Sequence, residues 1–248
     1  METVLAVSTI GRFSLTTGKD DLPSQLTQKP VASFIWLYLL ARALRSPKDA
    51  ISRSALADEV FPNVETKQQR TRLRQRLGDM QASLQAATSR CLVLEGERVR
   101  VDLDVCQVDA ARLRQLALTL AVLKAPLDEA QLRDAELLAG SIGDGTFLPE
   151  WEALEDKVTG GRGSASTVIE EVRSDVDRSR TMLLVSIADA YSARGRHAQA
   201  VASLEQINRH HPDNEVATRK LIAAYLDSGQ AAKARDLQDS LASGRLRK

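Results

Sequence analysis

The rhythm of apolar and polar positions changes along this chain, and each change predicts an element. Val4 to Thr9 and Arg12 to Thr17 are short β-rich runs separated by Ile10-Gly11, the pattern of a hairpin. Gly18 to Lys29 is polar and turn-rich. Val31 to Ala41 is apolar except for Ser33, and it predicts a buried helix over Pro30 to Leu44 with proline suited to the first turn. The run is too short for a membrane span, which needs roughly 20 residues. It also lies too far from Met1 for a secretory signal. Ser46-Pro47-Lys48-Asp49 breaks this helix. Ser52 is placed to cap a second helix running through Val60 and stopped by Pro62, with Ala55, Leu56 and Val60 as its buried positions.

A third helix is predicted over Thr66 to Ala87. Leu73, Leu77, Met80 and Leu84 follow helical spacing and form one narrow apolar stripe. Lys67, Gln68, Thr71, Arg74 and Gln75 fall toward the opposite side, with Arg72 at its edge and Arg70 and Arg76 flanking the stripe. Five of the ten residues from Lys67 to Arg76 are basic and none is acidic. A solvated face normally mixes signs, because opposite charges one turn apart support the helix. Here the signs do not mix until Asp79, and the residues between the cations are Gln and Thr, which hydrogen-bond base edges and phosphates. Cys91 to Glu95 and Arg98 to Asp102 then alternate around Gly96-Glu97, predicting a hairpin with glycine first in its turn. Pairing Glu95 with Arg98 puts Leu92, Leu94, Val99 and Val101 on one face and Arg98 with Arg100 on the other. A basic-faced hairpin directly after a basic helix is the layout of a winged helix, in which the helix enters the major groove and hairpin arginines reach the backbone or the minor groove.

From Val108 onward the pattern is helical. Val108 to Lys124 and Leu127 to Ala139 are apolar or amphipathic stretches around Pro126. Gly140 to Glu150 reads as one loop and Thr159 to Ser166 as a Gly/Ser linker, whose spacing fits neither a phosphate loop nor a dinucleotide fingerprint. A repeat with a period of 34 follows. Leu184, Ile187, Ala188, Tyr191, Gly195, Ala200, Leu204 and Pro212 fit the tetratricopeptide pattern, and Tyr191, Gly195 and Ala200 recur as Tyr225, Gly229 and Ala234. Small residues let paired helices approach, the aromatic wedges between them, and glycine turns the hairpin.

Composition adds the charge argument. The 248 residues carry 34 Lys and Arg against 33 Asp and Glu, a net charge of +1 that by itself speaks against a basic nucleic-acid binder. The balance is uneven along the chain. Residues 1–106 hold 15 basic and 12 acidic side chains, whereas residues 107–248 hold 19 and 21. A mildly basic segment is joined to a mildly acidic one, with the cations concentrated at 67–76. Aromatic residues are 4% of the chain, too few for a platform that stacks single strands. Two cysteines cannot build a disulfide scaffold and read as reduced cytosolic thiols; with no histidine near them, a zinc site is not expected. No nucleophile motif, metal-ligand spacing or paired-carboxylate motif stands out, so neither an enzyme nor a cofactor is expected.

The order of two strands, three helices and a hairpin resembles the DNA-binding domain of the OmpR-like winged-helix family, most closely its branch in the Streptomyces antibiotic regulatory proteins. Ile51-Ser-Arg-Ser-Ala-Leu-Ala-Asp-Glu-Val-Phe-Pro-Asn63 is similar to that family's second helix, and Arg72-Leu-Arg-Gln-Arg-Leu-Gly78 to the Leu-Arg signature of its recognition helix. Where the family usually has Gly-Tyr before the last strand, this chain has Arg98-Val99, and Glu95 and Glu97 put acid at the wing tip. Gly145-Thr-Phe-Leu-Pro-Glu-Trp151 resembles the characteristic loop and tryptophan of the bacterial transcriptional activator domain that follows the winged helix in the same family. The resemblance implies two domains, 1–106 binding DNA and 107–248 forming tetratricopeptide-like helical repeats, in a mainly α fold with small β elements. It implies a cytoplasmic regulator, in the first place an activator, that binds double-stranded promoter DNA at direct repeats and recruits RNA polymerase. Homodimers on repeated sites and no membrane association fit that picture. The DNA-contacting residues are then Lys67, Gln68, Arg70, Thr71, Arg72, Arg74, Gln75, Arg76, Arg98 and Arg100. The rival expectation, favoured by the acidic wing tip, is a repeat-based interaction adaptor whose winged helix no longer binds DNA.

Overall fold

The computed structural model describes residues 5–17, 20–21, 29–86, 90–123, 126–161 and 164–243. Most of the expected turn-rich segment at 18–29 lies outside the described residues, as do Arg162-Gly163 of the expected linker and Val4, Ala87 and Lys124 at the margins of predicted elements.

The fold is mainly helical with small β elements, an N-terminal winged helix-turn-helix followed by a tetratricopeptide-like helical repeat. β1 (Leu5–Ser8) and β2 (Ser14–Thr17) form the expected antiparallel hairpin, with Leu5 opposite Thr17 and Ser8 opposite Ser14. β3 (Asp20–Asp21) extends this sheet on one side. On the other side β7 (Cys106–Val108) runs parallel to β1, giving the order β3-β2-β1-β7. A second sheet has the order β4-β6-β5 and joins β4 (Ile51–Ser52) to the predicted hairpin of β5 (Leu92–Glu95) and β6 (Arg98–Val101). Glu95 faces Arg98 across the turn, as the alternation predicts, and Gly96 takes φ +57° there. Leu92, Val99 and Val101 are buried.

α1 (Pro30–Arg45) is buried almost all round, with Phe34, Ile35 and Trp36 at 0% exposure. This explains its apolar run, interrupted only by Ser33, since a helix that is apolar on every side is a core helix. α2 (Arg53–Val60) is capped by Ser52, whose Oγ accepts the Ala55 N–H at 3.1 Å. Its buried residues are Leu56, Ala57 and Val60; Ala55, expected inside, is exposed. The reason is angular. At 100° per residue Ala57 lies about 60° from Val60 and Ala55 about 140° from it. α3 (Thr66–Ala86) buries the predicted stripe, with Leu73, Leu77, Met80 and Leu84 all 1–2% exposed. Both cysteines are free and buried, and burial pushes the Cys106 thiol up to about 12. Such a thiol stays protonated near neutral pH and is a poor nucleophile.

Two compact units divide the chain, and they interleave in sequence: Met1–Arg112 with Ile142–Val176, and Leu113–Ser141 with Asp177–Lys248. In the first unit the segment from 143 onward packs on the N-terminal sheet and helices. α6 (Trp151–Thr159) begins with Trp151, whose ring stacks on Phe34 of α1 at 4.9 Å. Ahead of it the chain pairs with the β1–β2 turn: Gly11 N–H donates to the Thr146 carbonyl (2.9 Å), Leu148 N–H donates to the Thr9 carbonyl (2.8 Å), and Ile10 bridges Phe147. Arg173 of α7 (Ala165–Ser192) holds the same loop through the carbonyls of Phe147 (3.0 Å) and Leu148 (2.8 Å).

α4 (Asp109–Ala121) and α5 (Glu129–Ile142) precede this loop; α5 runs one turn beyond the expected end at Ala139 and shortens the loop accordingly. In the second unit, α8 (His197–His210), α9 (Glu215–Asp227) and α10 (Ala231–Ala242) complete the repeat. Leu184, Ala188, Ala200, Leu204, Leu221, Tyr225 and Ala234 share one core cluster there. The repeat is visible bond by bond. Tyr191 O accepts from Arg196 N–H (2.9 Å) and Tyr225 O from Gln230 N–H (2.7 Å), while Gly195 and Gly229 turn the chain at φ +67° and +76°.

Candidate nucleic-acid interface

The candidate interface is built by a turn, a helix and a hairpin. α2 ends at Val60 with Phe61 as its C-cap, and five residues after that cap α3 begins with Thr66. Along α3 the side chains of Lys67, Gln68, Arg70, Thr71, Arg72, Arg74 and Gln75 are exposed, and Arg76 is half-buried. The buried stripe on one side of the helix leaves these residues on the remainder of its surface. Among the described residues no ion pair engages Lys67, Arg70, Arg72 or Arg74. Arg76 reaches Asp79 at 3.7 Å, Thr71 Oγ1 donates to the Lys67 carbonyl at 3.1 Å, and Gln68 Nε2 lies 3.5 Å from Glu65 Oε2. The first turns of α3 therefore present cations whose charge is not neutralised locally. Such charge attracts phosphates by releasing the counterions condensed on a duplex.

The two wing arginines differ. Arg98 is exposed at the hairpin turn. Arg100 is half-buried and lies 3.3 Å from Asp102 and 3.7 Å from Glu95, so its charge is largely answered within the hairpin. The wing is also fixed to α2: Ile51 and Ser52 pair with Val99 and Arg98, and Arg53 N–H donates to the Glu97 carbonyl at 2.8 Å. The structure thus brings the base of α2 and the wing tip together. No signal in the sequence marked Ile51-Ser52 as a strand, because two residues are too short to show a period.

One residue of this region escaped the periodicity argument. Gln69 sits between the exposed Gln68 and Arg70 yet is only 5% exposed, and its Nε2 donates to the Phe61 carbonyl at 2.8 Å. It lies one turn before Leu73, so it occupies the N-terminal end of the apolar stripe. That spacing was the available signal, and its polar character concealed it.

A last contact ties the helix-turn-helix to the rest of its unit. The Glu59 carboxylate on α2 accepts from the backbone N–H and the hydroxyl of Ser164 (2.8 Å for the hydroxyl), the residue before α7. A carboxylate at a helix start answers both the unpaired N–H groups and the helix dipole. Among the described residues no helix is long and apolar enough to cross a membrane, and no group of three or more His, Cys, Asp or Glu side chains is placed to hold a metal ion.

Residues 150–241 match the family of the bacterial transcriptional activator domain. Over 98% of its length the chain also superposes on a solved structure of Mycobacterium tuberculosis EmbR in complex with a low-affinity phosphopeptide, with a TM-score of 0.72 and 17% sequence identity. The chain spans 61% of that protein's length. The sequence matches no curated protein sequence. The fold is therefore similar to that of EmbR along nearly the whole chain, and residues 150–241 are similar to a domain of bacterial transcriptional activators.

Proposed function

We propose that this chain is a DNA-binding transcriptional regulator, an activator in the first instance, related to the OmpR-like winged-helix regulators of the Streptomyces antibiotic regulatory type. The observation that carries the reading is the exposed basic face at the start of α3, free of acid and of ion-pair partners among the described residues at Lys67, Arg70, Arg72 and Arg74, on the second helix of a helix-turn-helix and ahead of a wing. The similarity of residues 150–241 to an activator domain supports the same class. In this reading α3 enters the major groove of double-stranded promoter DNA. Gln68, Thr71 and Gln75 read base edges, Lys67, Arg70, Arg72, Arg74 and Arg76 hold phosphates or guanines, and Arg98 reaches the backbone from the wing. Residues 1–106 form the DNA-binding module; the helical repeats of 107–248 contact RNA polymerase or another protein, and two copies occupy repeated sites.

Recovery of bound fragments from genomic DNA tests this. A specific site bound with a steep salt dependence is expected. Affinity no better than the non-specific ~10⁻⁴–10⁻⁶ M on every fragment overturns it. The ion pairs of Arg100 with Glu95 and Asp102 favour a second reading, in which the repeats act as an interaction adaptor and the winged helix no longer binds DNA. The same experiment separates the two.

A further inference from the structure

We infer that Gln69 is a positioning residue that sets the docking angle of α3, and so determines sequence specificity without touching DNA; the inference rests on the DNA-binding reading above. Gln69 occupies the same helical row as Leu73 and Leu77, four and eight residues on, and is buried like them. A leucine in this place would continue the stripe and serve the core at least as well, since an apolar side chain needs no hydrogen-bond partner. The polar residue therefore contributes something other than burial.

Its bond shows what. The Phe61 peptide is the joint between α2 and the turn: its N–H closes α2 on the Ala57 carbonyl (2.9 Å), and its carbonyl accepts both the turn N–H of Val64 (3.1 Å) and Nε2 of Gln69. Gln69 links the end of α2 directly to the first full turn of α3. A hydrogen bond is directional, whereas apolar packing tolerates small rotations. Fixing this joint fixes the rotation and tilt with which Lys67, Gln68, Thr71 and Arg74 are presented. In a helix-turn-helix the N-terminal residues of the recognition helix meet the base edges, and these are the residues such a rotation displaces. Phosphate contacts made by long, flexible Arg and Lys side chains absorb the same displacement.

The test uses the full chain with Gln69→Leu, and with Gln69→Met as a longer apolar replacement should leucine pack poorly. Three quantities are read: thermal unfolding, affinity for the selected site against unrelated DNA, and the slope of log affinity against log salt. A midpoint at or above that of the parent is expected, with at least a tenfold loss of the specific-to-non-specific ratio and an unchanged salt slope. A folded variant that keeps the parental ratio within twofold overturns the positioning role while leaving DNA binding intact. A salt slope reduced by one or more also overturns it, because that marks a lost phosphate contact. A parent chain that selects no site removes this inference together with the reading it rests on.

Discussion

The Glu59 carboxylate closes the N-terminus of α7 by accepting both the N–H and the hydroxyl of Ser164, residues 105 apart in sequence. The contact gives α2 a fixed partner within its own compact unit, on the opposite end of α2 from its Ser52 cap. Glu59→Ala removes both contacts and leaves the Ser164 N–H without its side-chain acceptor, whereas Ser164→Ala removes only the hydroxyl contact and leaves that N–H on the carboxylate. Loss of a helix cap costs about 1 kcal/mol, and in a chain of this size that lowers the unfolding midpoint by roughly 2–4 °C. Calorimetry of both single variants and the double variant checks it. The expected outcome is a smaller loss for Ser164→Ala and a double loss no larger than that of Glu59→Ala alone.

Gly145 crosses the β1–β2 turn at Gly11 with no room for a side chain. A Cβ at position 145 would lie 2.4 Å from the Gly11 Cα and 2.5 Å from its nitrogen, both backbone atoms that cannot rotate away. Gly145→Ala is expected to separate the loop from the turn and to destabilise the fold by roughly 1–3 kcal/mol, the usual cost of forced overpacking. Gly140→Ala is the control, since nothing lies within 4 Å of its added Cβ. Denaturant unfolding of the pair decides, and equal midpoints would contradict the crossing.

The DNA-binding reading separates arginines that composition alone treats alike. Arg74 has no ion-pair partner among the described residues, whereas Arg100 is held by Asp102 and Glu95. Arg74→Ala is expected to weaken binding and reduce the salt slope by about one. Arg100→Ala is expected to leave the slope nearly unchanged. Titration of both variants against one site at several salt concentrations measures this.

The second tyrosine of the repeat supplies a pH test. Tyr225 donates its hydroxyl to Glu205 at 2.7 Å. That bond, with help from Lys233 at 3.3 Å, holds the Glu205 carboxyl below its ordinary 4.5. Burial, and then the same carboxylate, push the Tyr225 hydroxyl above its ordinary 10. A carboxyl with a lowered value adds stability above its unfolded value and loses it as pH falls through the folded one. The contribution should therefore fade as pH drops below about 4.5. The tyrosine works in the other direction, and its contribution fades as pH rises above about 10. Tyr225→Phe is expected to flatten both flanks of the stability profile between pH 3 and pH 11, the alkaline flank more completely because Lys233 still supports Glu205.

What could be read along the chain was whatever local physics decides. The 3.6-residue spacing of Leu73, Leu77, Met80 and Leu84 fixed the inner side of α3, and with it the exposure of Lys67, Gln68, Thr71, Arg74 and Gln75. The alternation around Gly96 fixed the register of the wing, and the recurrence of Tyr, Gly and Ala at a period of 34 fixed the helix hairpins. Each signal is carried by side chains a few residues apart, or by repetition of such a set. Tertiary structure alone decided the rest. It buried Gln69 against a carbonyl eight residues away, gave Arg100 carboxylate partners while leaving Arg98 exposed, and paired Ile51-Ser52 with the wing. It also drew residues 142–176 into the N-terminal unit through Gly145, Trp151 and Ser164. These are long-range choices of partner, and a hydrogen bond or a close approach between distant segments leaves no period in the sequence. The even charge total has the same explanation: it sums over surfaces that only folding separates.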